Sequence, residues 1–126
     1  MSEVVLDSSA VLAILQDEPG ALVVRENLPG ALLSTVNLAE VVTKLCARGM
    51  SIKDARAAVD ALDIALIDYD AEQACQTGGL RLTTLAAGLS LGDRACLALA
   101  MGRKTSALTS DQTWARLEGF EVVLIR

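Results

Sequence analysis

The feature that most constrains the fold of this chain is a regular alternation between short apolar runs and longer helical segments. Apolar runs typical of strands occupy residues 3–6, 31–34, 65–67, 106–109 and 121–125. The segments between them repeat apolar residues at helical spacing. Such alternation predicts an α/β fold with a largely parallel sheet of about five strands, right-handed crossovers and helices on both faces. The last strand is expected at an edge of the sheet.

Capping residues predict where several of the helices begin. Ser90 and Asp93 have the spacing of a capping box, in which each side chain bonds to the other residue's main chain. The helix that follows is almost wholly apolar and is therefore expected to be buried. Asn37 and Glu40 repeat this spacing, with Asn37 predicted as the capping residue and Glu40 on the first turn. Ser51 is predicted to cap a further helix.

Glycine and proline residues predict the remaining helix boundaries. Pro19 suits the first position of the second helix, since its fixed φ is helical and it needs no N–H partner there. Residues 70–87 predict one long helix, in which Gly78-Gly79 marks a kink or a join. Residues 111–118 predict a short helix before the last strand. No repeat or linker divides the chain, so residues 1–126 are predicted to form one domain.

The composition excludes several classes of function. The chain has 126 residues, no histidine and a formal net charge of -5. Without histidine there is no Ser-His-Asp or Cys-His catalysis and no histidine-ligated zinc. The acidic charge disfavours nucleic-acid binding, unless several of the acids bind cations that reverse the local sign.

The cysteines and the N-terminus bear on the compartment. Cys46, Cys75 and Cys96 lie far apart in apolar helical segments, so we expect small core residues in a reducing, cytoplasmic setting. The N-terminus lacks the basic region of a signal peptide, and no apolar run approaches the roughly 20 residues that a membrane span needs.

Four acids follow or adjoin the predicted strand ends: Asp7, Glu40, Asp93 and Asp111. Because ligands of parallel α/β sheets bind outside the carboxyl ends of the strands, we expect these carboxylates to converge there. Converging carboxylates repel one another unless cations balance them, and oxygen ligands suit Mg²⁺ or Mn²⁺. Such a site can activate water against a phosphodiester without histidine. Each acid also has a simpler interpretation, as a helix cap.

Other polar side chains lie next to these acids in the sequence. The hydroxyls of Ser9, Thr109 and Ser110 are candidates for orienting a carboxylate or a water molecule, or for capping turns. Arg94 follows Asp93 directly and is a candidate for contacting a phosphate or for pairing with a neighbouring acid.

Four segments together resemble the PIN-domain family, and most closely its VapC toxins. They are residues 5–10 (VLDSSA), 37–41 (NLAEV), 88–96 (GLSLGDRAC) and 108–114 (LTSDQTW). The segments span nearly the whole chain in the family's order, and the third is the most specific. Gln112 and Thr113 depart from the basic residue and alanine that are common in relatives, which affects expected substrate contacts only.

The resemblance implies a three-layer α/β/α sandwich and a Mg²⁺- or Mn²⁺-dependent endoribonuclease. Asp7, Glu40, Asp93 and Asp111 match the family's acidic quartet, and Ser9 with the Thr109-Ser110 pair matches its supporting hydroxyls. It also implies a homodimer that is held inactive by a VapB-like antitoxin.

Two other functions stay open at this point. One is a non-catalytic PIN-like module for protein binding, against which the intact set of acids speaks. The other is a phosphatase or receiver-like domain with an aspartate cluster. A receiver would need a lysine after one of the late strands, whereas Lys104 precedes the fourth, so this fit is poor.

Overall fold

The computed structural model describes residues 2–126 and contains a five-stranded sheet. The strands are β1 (Val4–Leu6), β2 (Ala31–Ser34), β3 (Ala65–Ile67), β4 (Ser106–Thr109) and β5 (Val122–Leu124). Their order across the sheet is β3-β2-β1-β4-β5. All four strand pairings are parallel. The predicted parallel sheet is confirmed, and β5 lies at an edge as expected.

Helices follow the strands in alternation. They are α1 (Ser8–Leu15), α2 (Ala21–Asn27), α3 (Thr35–Ala47), α4 (Ile52–Asp60), α5 (Ala71–Gly79) and α6 (Leu91–Arg103). Three short 3-10 helices cover Leu28–Gly30, Leu85–Ala87 and Gln112–Arg116. None of the helices in residues 2–126 is long and apolar enough to cross a membrane.

Two hydrophobic cores, one on each face of the sheet, make the molecule a three-layer α/β/α sandwich. Successive strand residues point to opposite faces. Val4 and Leu6 pack with apolar residues of α1, α3 and α4, whereas Val5 packs with α6 and the fully buried Trp114. The run from Ala95 to Ala100 is buried throughout, which confirms the predicted buried helix.

The start of α3 was predicted wrongly. Ser34 is the N-cap, because its side chain accepts a hydrogen bond from the N–H of Val36. The helix therefore begins at Thr35, Asn37 lies inside it, and Glu40 is on the second turn rather than the first. Both Ser and Asn are common N-cap residues, and the earlier of the two takes this role here.

Other helix boundaries also differ from the prediction. The segment 70–87 is not one helix, because α5 ends at the paired glycines and a turn leads to the 3-10 helix Leu85–Ala87. Pro19 precedes α2 rather than starting it, since Gly20 is the N-cap with φ +95°. The short helix after Asp111 is a 3-10 helix.

The cysteine prediction holds for one thiol of the three. Cys96 is buried within α6, as expected. Cys46 is half-buried, and Cys75 is exposed because α5 turns most of its surface to solvent.

Candidate metal centre

Asp7 lies directly after β1, at the carboxyl edge of the sheet. Its N–H donates to the carbonyl of Leu108 in β4 at 2.9 Å, which continues the ladder by one residue. Although Asp7 occupies the N-cap position of α1, its side chain makes no capping bond. The residue as a whole is only 4% exposed. The simpler interpretation of Asp7 as a cap is therefore not what the structure shows.

The two oxygens of the Asp7 carboxylate have different surroundings. Oδ2 accepts hydrogen bonds from the hydroxyls of Ser9 at 2.7 Å and Thr109 at 2.9 Å. Oδ1 is buried without a hydrogen-bond partner. An unpartnered buried carboxylate oxygen is costly, because a charged group loses its water without compensation.

The hydroxyls of Ser9 and Thr109 are held in turn by main-chain groups of the loop after β4. The Oγ of Ser9 accepts from the N–H of Ser110 at 3.0 Å, and Oγ1 of Thr109 accepts from the N–H of Asp111 at 3.0 Å. Each hydroxyl thus accepts one hydrogen bond from the main chain and donates its own proton to Oδ2 of Asp7. Ser110 contributes to the network through its main chain, whereas Ser9 and Thr109 contribute their side chains.

Glu40 approaches the same edge of the sheet from α3. Its Oε1 accepts a hydrogen bond at 2.8 Å from Nδ2 of Asn37, one turn earlier. Asn37 is fully buried, and its Nδ2 also donates to the carbonyl of Gly92 in α6 at 3.0 Å. The sequence marked Asn37 only as a capping residue. The signal for its position was the spacing of three residues to Glu40, which places both side chains on one side of the helix.

Gly92 is required for the approach of Glu40 to α6. A Cβ atom on Gly92 would lie 2.2 Å from Oε2 and 2.5 Å from Cδ of Glu40. The Glu40 carboxylate thus lies against the main chain of the first turn of α6, which only glycine leaves open. Gly92 lies in residues 88–96, the segment most typical of the family, but the sequence alone did not indicate why a glycine is needed there.

Asp93 completes the predicted capping box of α6. Its Oδ2 accepts from the N–H of Ser90 at 3.0 Å, and its own N–H donates to Oγ of Ser90 at 3.2 Å. These reciprocal bonds satisfy main-chain groups that have no partner within the helix. They also fix the Asp93 side chain at the mouth of α6.

The negative charges of Glu40 and Asp93 act on the Asp7 carboxylate. The pKa of Asp7 is raised from 3.8 to about 6. Burial is the largest cause and the negative charges of Asp93 and Glu40 add to it, whereas the hydrogen bonds from Ser9 and Thr109 oppose it. Burial, followed by the charges of the same three acids, also raises the pKa of the Cys96 thiol. The charges of the three carboxylates therefore act together on the Cys96 side chain.

Asp111 stands apart from this trio in its contacts. Its Oδ1 accepts hydrogen bonds from the N–H of Thr113 at 3.0 Å and the hydroxyl of Thr113 at 2.8 Å. The carboxylate thus caps the 3-10 helix Gln112–Arg116. Its main-chain N–H still links it to the site, through the hydroxyl of Thr109.

Arg94 does not form the expected ion pair with a neighbouring acid among the residues that the structure describes. Its Nη1 donates to the carbonyl of Thr77 in α5 at 3.1 Å. No ion pair joins it to an acid within residues 2–126. The side chain instead ties α6 to α5, and a phosphate contact by Arg94 stays a prediction.

The residues at this edge fit a hard divalent cation in their chemistry. As they stand, no three acidic or cysteine side chains in the described part of the chain define a metal site. Oδ1 of Asp7 nevertheless has no hydrogen-bond donor or cationic side chain beside it, and the negative charges of Glu40 and Asp93 act on the same carboxylate. Mg²⁺ and Mn²⁺ prefer carboxylate oxygens, and a cation would offset their repulsion. Asp7, Glu40 and Asp93 are the residues that could hold it.

Comparisons with known proteins agree with the fold. The family model of the PIN domain matches residues 4–119. A chain of the DNA-bound VapBC from Salmonella typhimurium is 19% identical, with a TM-score of 0.79 and full coverage of both chains (100% and 100%). A chain of a toxin–antitoxin complex from Klebsiella pneumoniae is 19% identical over 98% of each chain, with a TM-score of 0.76.

A third similar structure is VapBC-5 from Mycobacterium tuberculosis. One of its chains is 24% identical over 100% of this chain and 99% of its own, with a TM-score of 0.60. No curated protein sequence is significantly similar to this one.

Proposed function

Since the chain belongs to the PIN domain family, we propose that it is a Mg²⁺- or Mn²⁺-dependent endoribonuclease and the toxin of a VapBC-type toxin–antitoxin pair. The observation that carries this proposal is the Asp7 carboxylate, which is buried, has one bare oxygen and interacts with Glu40 and Asp93. A protein-binding module has no need of such a group. Residues 1–126 would act as one nuclease domain, of which Met1 lies outside the described residues.

The proposed ligands are Asp7, Glu40 and Asp93, together with Asp111. Asp111 would join them by turning its carboxylate away from Thr113. When bound, a divalent cation stabilises charge on a phosphodiester and eases the ionisation of water.

The chain's own residues perform the remaining tasks. Ser9 and Thr109 hold Oδ2 of Asp7, so that Oδ1 keeps a fixed direction. The capping box holds Asp93 at the mouth of α6. Because these groups are oriented in advance, little reorganisation is needed when the substrate binds.

The proposed protein partners are a VapB-like antitoxin and a second copy of this chain, in the cytoplasm. The fold is that of chains in VapBC structures from Salmonella typhimurium and Mycobacterium tuberculosis. Leu82, Leu85 and Leu91 are 81%, 51% and 57% exposed, and they precede or begin the helix that carries Asp93. Exposed leucines of this kind suit a surface that a partner covers.

RNA cleavage by Asp93→Asn tests the proposed activity. Asparagine keeps an oxygen that can accept from Ser90, so the cap survives while the charge is lost. The control is Asp54→Asn, because Asp54 has the same position after Ser51 in α4, where Ser51 accepts its N–H at 3.0 Å. We expect cleavage by wild type and Asp54→Asn with Mg²⁺, loss of cleavage with EDTA, and a loss of about 100-fold or more in Asp93→Asn.

The opposite pattern would support the non-catalytic alternative. If the wild type cleaves no RNA with Mg²⁺ or Mn²⁺, or if Asp93→Asn cleaves as fast as Asp54→Asn, the proposed activity is wrong.

A further inference from the structure

We propose that Asn37 is a positioning residue for the metal site, which it serves by locking the Glu40 carboxylate to the first turn of α6. The inference rests on the proposed function, since it concerns the same acids. The geometry that carries it is one buried amide with two acceptors. Nδ2 of Asn37 donates to Oε1 of Glu40 at 2.8 Å and to the carbonyl of Gly92 at 3.0 Å.

The orientation of this amide is determined by its surroundings. Both of its contacts, a carboxylate oxygen and a main-chain carbonyl, can only accept hydrogen bonds. A flipped amide would place Oδ1 against these two oxygens, which repel it. Asn37 therefore acts as a double donor, and its second acceptor, the carbonyl of Gly92, lies one residue before Asp93.

The double donor connects two elements that carry different acids. Glu40 belongs to α3, whereas the carbonyl of Gly92 belongs to the first turn of α6, next to Asp93. Gly92 lets the Glu40 carboxylate lie against that turn. A single side chain thereby ties Glu40 to the turn of α6 that carries Asp93, and it bonds only Oε1 of the Glu40 carboxylate.

Stability alone does not account for this asparagine. Its Oδ1 is buried and has no hydrogen-bond partner, and solvent cannot supply one because the residue is fully inaccessible. An apolar residue of similar shape would avoid this unpartnered oxygen. The amide is thus better explained by the carboxylate it orients than by the packing of α3.

Metal affinity without RNA tests the role of Asn37 apart from catalysis. Calorimetric titration of Mn²⁺ would compare wild type, Asn37→Ala and Asn37→Leu, since leucine keeps the shape and removes the donor. The control is Asn27→Ala, because Nδ2 of Asn27 also bonds a main-chain carbonyl, that of Val23, at 2.8 Å. Groups that orient metal ligands typically change affinity by about 10- to 100-fold when removed.

We expect Mn²⁺ affinity to fall at least about tenfold in both Asn37 variants and to be unchanged in Asn27→Ala. Wild-type affinity in Asn37→Leu would overturn the inference while leaving the proposed function intact. No Mn²⁺ binding by the wild type would overturn both.

A measurement on the wild type keeps the inference testable if the variants do not fold. The side-chain NH₂ resonances of Asn37 should shift during a Mg²⁺ titration with the same midpoint as metal binding. Resonances that stay unchanged while Mg²⁺ binds would show that Asn37 is not coupled to the site.

Discussion

At the scale of single residues, the most informative side chain is Asp7, because its burial and its charge oppose each other. The folded protein without metal holds the Asp7 proton more tightly than the unfolded chain does, as the pKa of about 6 against 3.8 shows. This preference favours folding below about pH 4 and is lost as the pH rises through about 6. At neutral pH, the metal-free protein therefore carries a buried charge that a bound cation would relieve.

Asp7→Asn tests this penalty through the pH dependence of stability. Asparagine stays neutral at both pH values. The unfolding free energy of the variant, relative to that of the wild type, should therefore increase by about 1–3 kcal/mol between pH 4 and pH 7. The measurement is urea unfolding of both proteins with EDTA at the two pH values. A difference in unfolding free energy that does not change with pH would contradict the raised pKa.

Gly92→Ala should change metal binding without lowering the stability of the fold. The added Cβ would lie 2.2 Å from Oε2 of Glu40, so the flexible carboxylate must move away. Because alanine is a better helix former than glycine, we expect a melting temperature that is unchanged or higher. Mn²⁺ affinity should nevertheless fall about tenfold.

The matched control is Gly102→Ala in the same helix, where the nearest atom to an added Cβ is Oε1 of Gln76 at 4.0 Å. This variant should bind Mn²⁺ like the wild type. Equal affinities in the two glycine variants would show that close contact between Glu40 and α6 does not matter.

The residues of the site could be predicted from the sequence unequally well. Asp7 and Asp93 were identified because they stand at a strand end and at a helix cap, which are local features. The role of Asn37 could not be predicted, since its second acceptor belongs to Gly92, which is 55 residues away. The engagement of Asp111 by Thr113 likewise depends on side-chain conformations that spacing does not determine.

At the scale of elements, the N-terminus of α6 is central to the site, because it carries Asp93. Its capping box both starts the helix and holds Asp93. Strands β2, β3 and β4 have the bounds that their apolar runs predict. The predicted start of α3 was wrong, because Ser34 and Asn37 are both of a type that caps helices and their spacing in the sequence does not decide between them.

Removing the capping hydroxyl of α6 should affect both stability and metal binding. Ser90→Ala and Ser51→Ala each lose a bond to a main-chain N–H, of Asp93 and Asp54 respectively, which should cost about 1 kcal/mol of stability. Only Ser90→Ala should also weaken Mn²⁺ binding, by several-fold, because Asp93 then loses part of its support. Urea unfolding and Mn²⁺ titration of both variants would check this. Equal metal affinities would contradict a role for the cap in the site.

At the scale of the whole molecule, the parallel sheet explains why distant segments meet. The acids come from the end of β1, the second turn of α3 and the first turn of α6, and these lie at one edge because the strands run in the same direction. The net charge of -5 disfavours nucleic-acid binding unless cations bind at this edge and reverse the local charge. The alternation of the sequence predicted this arrangement, whereas the conformation of each carboxylate required the structure.

The most direct test of the metal site is a calorimetric titration of Mn²⁺ into wild type, Asp7→Asn and the control Asp54→Asn. We predict binding by wild type and Asp54→Asn, and a loss of at least about 100-fold in Asp7→Asn, because Asp7 contributes the only buried carboxylate of the described residues. Equal Mn²⁺ binding by Asp7→Asn and wild type, or no binding by the wild type, would contradict the assignment of this edge as a metal centre.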